Sequence, residues 1–309
     1  MSTPLFTIFT PSYNRAHTLP RVYESIAAQG FRDFEWVVVD DGSTDGTREI
    51  VAAWAAEADF PIRYFHQANG HKKTAFNHGV REARGELFLC LDSDDAMPPD
   101  ALRIFHDAWF SIPDERRHEY AGVTGLCVDE NGRVVGDRFP TSPFDSDDLS
   151  MRFASRIKGE KWGFHRRSIL ERHSYPEFIP GFVTESLVWN AIARKYRTRF
   201  INDVVRIYHY EPDSLVNSQR TLKKFRDLAE GSCYACTDFI DHNGRWFFAA
   251  PAAVGKIAAN QTRFSWHLSR SGRAARYYPR TPSGWFLKLL AWPVGFIAFL
   301  HDEITLRTA

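Results

Sequence analysis

The first 95 residues alternate short apolar runs, rich in β-branched and aromatic residues, with amphipathic helical patterns. This β-α-β-α-β-α-β order predicts a mostly parallel central sheet flanked by helices, an α/β fold. Parallel sheets bind ligands beyond the carboxyl ends of their strands, so the residues that follow each strand are candidate site residues. The predicted strands are Leu5–Thr10, Glu35–Asp40, Ile62–Phe65 and Glu86–Leu91, and the predicted helices are Thr18–Gln29, Asp45–Ala58 and Lys73–Ala83.

Beyond residue 95 the pattern changes from regular alternation to a mixture of strands and helices, and it becomes mainly helical from Thr221. We therefore expect an α/β domain over residues 1–215 and a helical appendage over residues 216–309. The predicted elements between them are a helix at Asp100–Ser111, strands at Val123–Asp129 and Arg133–Val135, helices at 145–157 and 184–196, and strands within Phe200–Tyr210.

Three carboxylates, Asp92, Asp94 and Asp95, directly follow the fourth predicted strand. Like charges this close repel, so we expect a cation to neutralise them. Oxygen ligands favour Mg²⁺ or Mn²⁺, which commonly bridge a protein carboxylate to substrate phosphates. The alternative is an acidic turn that caps the helix beginning near Pro99.

A second carboxylate pair, Asp40 and Asp41, follows the second predicted strand, and Gly42 allows a sharp turn there. One carboxylate can hold this turn while the other accepts hydrogen bonds from a nucleobase or a ribose. On its own, the pair would equally suit the acidic pocket of a response regulator or a phosphatase.

Four segments in this order strongly resemble glycosyltransferase family 2: FTPSYNRAHTLPRVYESI, EWVVVDDGSTDGT, NGHKKTAFNHGVREARGELFLCLDSDD and TESLVWNAIARKY. The resemblance covers about residues 5–210. It implies the GT-A fold, with a nucleotide-binding half over residues 1–95 and an acceptor-side half over residues 96–215. It also implies an inverting, Mg²⁺- or Mn²⁺-dependent transfer from a nucleotide-diphosphate sugar, commonly a UDP-sugar.

The resemblance also assigns roles to individual positions. Tyr13 is placed to stack on the base and Asp41 to read it, while either of the adjacent Lys72 and Lys73 can reach the donor. The implied donor-binding residues are Thr10, Pro11, Tyr13, Asn14, Asp41, Asn69, Lys72, Asn77, Asp92 and Ser93, and the implied metal ligands are Asp94, Asp92 and His209. In the family's spacing counted from Ser214, Glu211 replaces His209.

The acceptor side departs from the family, which usually carries Glu-Asp before a helix. Here Thr184 and Glu185 occupy these positions, so Glu185 is the predicted catalytic base. The alternative is a carboxylate that stabilises the helix N-terminus. Trp162 precedes this segment and either stacks on a sugar or belongs to the core.

The net charge of +1 conceals a basic C-terminal region. Between His242 and His301 there is no acidic residue, whereas Lys and Arg occur eight times, interleaved with Trp, Tyr and Phe. This composition predicts peripheral contact with an anionic membrane, and the alternative is a helical pair packed on the catalytic domain. The apolar run Trp285–Leu300 has 16 residues, fewer than the roughly 20 that a bilayer span requires. No nucleic-acid motif accompanies the charge.

These observations predict a cytoplasmic enzyme at the inner face of the plasma membrane that glycosylates a saccharide or a lipid-linked acceptor. Two rival functions stay open. One is a sugar-phosphate nucleotidyltransferase, whose Gly-rich loop after the first strand is absent from TPSYNRAH. The other is a catalytically degenerate sugar-nucleotide binding module, which the altered Glu-Asp motif would suit.

Overall fold

The computed structural model describes residues 3–210, 221–273 and 277–306. Its centre is one eight-stranded sheet with the strand order β3-β2-β1-β4-β7-β5-β8-β6. The strands are β1 (Phe6–Ser12), β2 (Phe34–Asp40), β3 (Ile62–His66), β4 (Leu87–Cys90), β5 (Tyr120–Asp129), β6 (Phe144–Ser146), β7 (Lys161–Arg166) and β8 (Arg197–Tyr208).

Helices alternate with the first strands and form most of the C-terminal region, where a 3₁₀ helix, Gly244–Phe248, precedes α10. The helices are α1 (Leu19–Ala27), α2 (Thr47–Glu57), α3 (Lys72–Glu82), α4 (Ala101–Phe110), α5 (Asp114–Arg117), α6 (Asp148–Phe153), α7 (Arg167–Leu170), α8 (Ser186–Ala193), α9 (Leu222–Asn243), α10 (Pro251–Arg270) and α11 (Pro282–Thr305).

The parallel half of the sheet confirms the alternation predicted for the first 95 residues. Strand β1 pairs in parallel with β2 and β4, and β2 pairs in parallel with β3. Every residue of β1 and β2 is buried, as expected for strands covered by helices on both faces. The register pairs Ser12 with Asp40, so these two strands end at the same level. This mostly parallel α/β architecture is the predicted fold class.

The second half of the sheet differs in detail from the prediction. Strand β7 lies antiparallel between β4 and β5 and was not predicted. Its sequence, KWGFHR, mixes buried Trp162 and Phe164 with partly exposed neighbours, so it lacks an apolar run. The helix predicted at 145–157 is only partly correct, because Phe144–Ser146 forms β6 against β8 and the helix is limited to α6.

Contacts divide the chain into two compact units. The first unit contains the whole sheet and comprises Met1–Arg152, Arg156–Ser174 and Ala191–Pro212. The second unit contains α9, α10 and α11 and comprises Phe153–Ser155, Tyr175–Asn190 and Asp213–Ala309. The segment Tyr175–Asn190, which contains Glu185, therefore belongs to the helical unit.

The last helix is longer than its apolar run suggested. Helix α11 has 24 residues because Thr281 caps its start, accepting a hydrogen bond from Gly284 N, and because it continues past Leu300. Within the described part of the chain, it alone is long and apolar enough to cross a membrane by length and composition. One third of its apolar window (33%) is buried inside the protein.

Close contact between β5 and β7 leaves no space for a side chain at Gly163. A Cβ atom there would lie 2.0 Å from the carbonyl oxygen of Val123. We expect Gly163→Ala to lower the free energy of unfolding by about 1–3 kcal/mol, because the strands must separate to admit the methyl group. Denaturant unfolding measures this loss. Gly30→Ala is the matched control, since its Cβ would meet nothing within 4 Å, and an equal loss in both variants would contradict the packing argument.

Candidate active site

Three chain segments meet where the parallel strands β1, β2 and β4 end. The backbone N–H of Asp41 donates to Ser12 O at 2.8 Å, which joins the loops after β1 and β2. The N–H of Leu91 donates to Phe9 O at 2.8 Å, which holds the segment after β4 beside β1. The first loop, the Asp40–Asp41 pair and the Asp92–Asp95 cluster therefore share one edge of the sheet.

The loop after β1 is held in shape by the turn after β2. Asn14 adopts a left-handed backbone conformation with φ of 53°. Its N–H donates to Ser43 Oγ at 2.8 Å, and its Oδ1 accepts from the N–H of Thr44 at 2.8 Å. Tyr13, between this anchor and the buried Pro11, is 52% exposed. Its ring is thus presented to solvent from a fixed loop.

Thr10 lies deeper than the rest of this loop. Its side chain is fully buried, and its hydroxyl accepts a hydrogen bond from Trp36 Nε1 at 3.0 Å. Within the described structure, this side chain secures the strand end to the core.

The two adjacent aspartates at the end of β2 have different hydrogen-bond partners. Asp40 holds the turn, because its Oδ1 accepts from Ser43 N at 2.7 Å and its Oδ2 accepts from the Tyr64 hydroxyl at 2.5 Å. Burial, followed by the hydrogen bond to Asp40, raises the pKa of Tyr64 to about 12. Asp41 uses Oδ1 alone, which accepts from Gly70 N at 2.9 Å and Gln67 Nε2 at 2.8 Å. No described residue bonds to Asp41 Oδ2.

The asparagine-glycine-lysine element lies beside Asp41 and enters α3. Asn69 Nδ2 donates to the Asp41 carbonyl oxygen at 2.9 Å. Lys72 then points toward the acidic cluster, with its Nζ 2.6 Å from Asp92 Oδ1. The next residue, Lys73, is buried. Lys72 is therefore the partly exposed cation of the adjacent pair, and Asn77, one turn further on, is buried.

The acidic cluster already has two side-chain cations, Lys72 and Arg206. Arg206, on β8, forms a close ion pair with Asp95 and lies 3.4 Å from Asp92. Positive charge beside these carboxylates, which the sequence analysis expects, is thus supplied in the described chain by Arg206 at Asp95 and by Lys72 at Asp92. Burial lowers the pKa of Arg206, but the two carboxylates raise it by more and keep it charged.

The three carboxylates consequently differ in acidity. Burial raises the pKa of Asp92, but Lys72 and Arg206 outweigh burial and hold it below the ordinary value. Burial and the neighbouring charge of Asp92 raise the pKa of Asp94. Burial is also the main reason why the pKa of Asp95 rises to about 6. Asp95 is a buried structural acid, whereas Asp94 carries charge that its surroundings do not fully compensate.

The carboxylates of the acidic cluster therefore do not suit a divalent ion equally well. Among the described residues, no group of three or more His, Cys, Asp or Glu side chains is arranged to hold a metal. Mg²⁺ in phosphate-binding sites commonly uses only one or two carboxylates and completes its shell with water and phosphate oxygens. Asp94, which forms no ion pair within the described chain, suits such a ligand, and Asp92 shares its oxygens with Lys72 and Arg206.

His209 lies at the cluster, but its ring has a different partner. Its backbone N–H donates to Asp95 Oδ1 at 3.0 Å, and its Nδ1 lies 2.6 Å from Glu130 Oε1. His209 thus contacts the acidic cluster through its backbone N–H, whereas its imidazole ring contacts Glu130. Glu211, the alternative at this position, lies outside the described residues.

Glu185 immediately precedes α8, and its carbonyl oxygen accepts from the N–H groups of Val188 at 3.0 Å and Trp189 at 3.2 Å. The side chain is exposed at the helix N-terminus. Thr184 Oγ1 lies 3.1 Å from Ser186 Oγ. Glu185 belongs to the helical unit, whereas Asp92 and Asp94 belong to the unit that contains the sheet.

The sequence analysis missed one residue of this region, Arg206, and left the role of another, Trp162, open. Arg206 was missed, although an arginine between the apolar residues Val205 and Ile207 of a strand is a signal that a buried anion lies nearby. Trp162 belongs to the core, because it is 6% exposed and its Nε1 donates to Cys90 O at 2.6 Å. It therefore buttresses β4, the strand that leads into the acidic cluster.

Arg206 should be required for stability as well as for the shape of the acidic cluster. We expect Arg206→Met to lower the free energy of unfolding by about 3–5 kcal/mol, because it leaves Asp95 buried without its cation. Denaturant unfolding of the variant measures the loss. The double variant Arg206→Met with Asp95→Asn should recover a large part of it, since the buried charge is gone. Additive losses in the double variant would show that the pair is not coupled.

Known proteins similar to this chain are glycosyltransferases. A sequence profile described as "Glycosyl transferase family 2" matches residues 7–114. A curated relative from Campylobacter jejuni, described as GalNAc(5)-diNAcBac-PP-undecaprenol beta-1,3-glucosyltransferase, is 26% identical over 242 residues, which are 74% of this chain and 74% of the relative. In three further curated relatives, all described as uncharacterised glycosyltransferases, the chain spans 22–52% of their length.

Solved structures share the fold over nearly the whole chain. Residues 1–349 of Staphylococcus aureus TarS, in complex with UDP-GlcNAc, match with a TM-score of 0.60 and 21% identity, covering 96% of this chain and 81% of that one. The mannosyltransferase PcManGT from Pyrobaculum calidifontis, in complex with GDP-Man and Mn²⁺, matches with a TM-score of 0.58 and 21% identity, covering 98% and 88%. At these identities the likeness establishes the GT-A fold.

Proposed function

We propose that the chain is a glycosyltransferase of family 2, whose sequence profile matches residues 7–114, and that it transfers a sugar from a nucleotide-diphosphate sugar to an acceptor hydroxyl with inversion. The observation that carries this proposal is the meeting of Tyr13, Asp41, Lys72, Asp92 and Asp94 at one edge of the sheet. The catalytic domain in this proposal comprises residues 1–215.

The nucleoside is proposed to bind between the first loop and Asp41. The ring of Tyr13 stacks on the base. Tyr13 is 52% exposed on an anchored loop, so its ring is available to a planar ligand. Asp41 Oδ2 accepts a hydrogen bond from a base N–H, which favours uracil and thus a UDP-sugar. The hydrogen bonds to Oδ1 hold this carboxylate in place before the ligand arrives.

The diphosphate is proposed to lie over Lys72, Asp92 and Asp94. Asp94, with Asp92, would hold Mg²⁺ or Mn²⁺, and such an ion would stabilise the charge on the departing nucleoside diphosphate. A related fold, PcManGT, was solved with Mn²⁺. Lys72 is the residue that can change partner, because its ammonium group can leave Asp92 for a phosphate oxygen. His209 and Ser93 complete the proposed donor side.

Glu185 is proposed to take the proton from the acceptor hydroxyl. Its carboxylate is exposed at the start of α8, and a carboxylate in such a position can deprotonate an acceptor hydroxyl. The hydroxyl then attacks the anomeric carbon opposite the leaving diphosphate. A single displacement of this kind inverts the anomeric configuration and requires no nucleophilic side chain.

The acceptor is proposed to be a saccharide carried on a lipid, at the cytoplasmic face of a membrane. Support comes from the name of the C. jejuni relative, which describes an undecaprenol-linked substrate. The basic, aromatic C-terminal region is the part of this chain suited to peripheral contact with an anionic surface.

A donor screen by thermal shift tests the donor side. We expect one nucleotide-diphosphate sugar, with Mn²⁺, to raise the melting temperature through binding to the folded state. Asp94→Asn should abolish the Mn²⁺-dependent part of this shift. Asp107→Asn, at an exposed carboxylate of helix α4, is the control and should keep the full shift. A shift that does not change with Mn²⁺ or in Asp94→Asn would remove the proposed metal site.

Transfer of a labelled sugar from the donor so identified tests the base. We expect Glu185→Gln to lower kcat roughly 100- to 10,000-fold while donor binding is unchanged, because only proton removal is lost. Glu177→Gln, an exposed carboxylate of the same segment, is the matched control. Near-normal transfer by Glu185→Gln would exclude it as the base, whereas donor binding by the unmodified chain without any transfer would favour a degenerate binding module.

A further inference from the structure

Helix α11 exposes large apolar side chains along its whole length. We call this surface the α11 apolar face, and its residues follow the helical repeat over about 28 Å. Their exposed fractions range from 41% for Trp285 and Trp292 to 71% for Ile304. The α11 apolar face consists of Trp285, Phe286, Leu289, Leu290, Trp292, Val294, Ile297, Leu300 and Ile304. A soluble protein rarely exposes a continuous apolar surface of this size without a partner.

The opposite side of α11 is packed closely on α9 and α10. A Cβ at Gly284 would lie 2.2 Å from Asp241 Oδ1 on α9, and a Cβ at Gly295 would lie 2.3 Å from Ala259 O on α10. Gly295 lets α11 approach the backbone of α10, and Gly284 leaves room for the Asp241 carboxylate of α9. The inner side of α11 is therefore packed against α9 and α10.

Buried ion pairs fix the C-terminal end of α11. Asp302 is 3% exposed and accepts hydrogen bonds from Arg263 Nε at 2.6 Å and from Arg263 Nη2 at 2.5 Å. His267 Nε2 lies 2.9 Å from the same carboxylate. Glu303 accepts from Arg226 Nη2 at 2.9 Å. If α11 left its neighbours to cross a bilayer, Asp302 and Glu303 would lose these cations, and such separation is strongly unfavourable.

The charge of the sequence segment that contains α10 and α11 indicates the kind of partner that the α11 apolar face would meet. The chain has no acidic residue from 243 to 301, and Asp302 and Glu303 are buried and paired. The exposed cations of this region are Arg245, Lys256, Arg270, Arg273 and Arg280. A second copy of the chain would bring these like charges together, whereas an anionic lipid surface would neutralise them.

Aromatic residues complete the match to a membrane interface. Tyr278 and Trp285 stack with their ring centres 6.2 Å apart, and Lys288 Nζ lies 4.6 Å from the centre of the Tyr278 ring. Trp266 packs against Phe299, with ring centres 5.8 Å apart. Trp and Tyr are enriched at the depth of lipid headgroups, where one side of the ring is apolar and the other is wet.

We propose that the α11 apolar face inserts into one leaflet of an anionic membrane, with α11 lying in the membrane plane and not across it. The side chains enter the boundary between headgroups and acyl chains, while α9 and α10 remain on the aqueous side. This inference deepens the proposed membrane contact by assigning its surface and orientation. It is independent of sugar transfer, because vesicle binding requires neither donor nor acceptor.

Flotation of the full chain with vesicles tests the surface. We expect binding to vesicles of phosphatidylcholine with phosphatidylglycerol and weaker binding to phosphatidylcholine alone. The double variant Leu289→Glu with Ile297→Glu should lower the partition coefficient at least about 100-fold, roughly tenfold for each lost apolar contact. Both side chains are 65% exposed, so the fold should tolerate the change, which thermal unfolding checks.

Phe110→Glu is the matched control, because Phe110 is a 46% exposed apolar residue of the sheet-containing unit. It should bind vesicles as the unmodified chain does. Absence of vesicle binding, equal binding by a folded Leu289→Glu with Ile297→Glu variant, or equal loss in Phe110→Glu would overturn the proposal. Concentration-dependent dimers that the double variant disrupts, in a chain that ignores vesicles, would assign the face to a second copy instead.

The orientation has a separate test in membrane vesicles from cells that express the chain with a tag at each end. If α11 lies in the plane, a protease added to one side digests both tags together. Digestion of the N-terminal tag with protection of the C-terminal tag would mean that α11 crosses the membrane. Sugar transfer measured on the same variants separates the two proposals, since a soluble acceptor analogue should be glycosylated without membrane contact.

Discussion

The site depends on the compensation of three carboxylates by two side-chain cations. Asp92, Asp94 and Asp95 follow one strand, and repulsion among them would destabilise the strand end if nothing opposed it. Arg206 reaches them from β8 and pairs with the most deeply buried of the three, Asp95. Lys72 reaches Asp92 from the start of α3. In the described chain Asp95 is therefore paired with Arg206, whereas Asp94 forms no ion pair.

Much of the donor half could be predicted because its signals are local. Four apolar runs alternate with helical patterns, and parallel strands bring their carboxyl ends together whatever the remaining sequence does. The long-range pairing could not be predicted. Arg206 and Asp95 are 111 residues apart, and the sequence around either residue does not indicate that it pairs with the other. Strand β7 was missed for a similar reason, since its strand character depends on the flanking β4 and β5.

The sequence alone does not distinguish the roles of adjacent identical residues. Lys72 and Lys73 are chemically equivalent, and consecutive positions on a helix point about 100° apart. Their roles are decided by the rotation of α3, which places Lys72 at Asp92 and buries Lys73. The acceptor half lacks such mutual support, because Glu185 stands in a helical segment whose motif departs from the family pattern.

The adjacent aspartates after β2 carry a further consequence. Asp40 closes a turn, whereas Oδ2 of Asp41 bonds to no described residue, although the two side chains have the same chemistry. Their difference arises from position, because Asp40 is the last residue of β2 and Asp41 lies beyond it, in the turn where Gly42 adopts a φ of 87°. A strand that ended one residue earlier or later would therefore place a different residue at each of the two positions without altering the composition of the loop. The end point of the strand decides which of two like residues holds the turn.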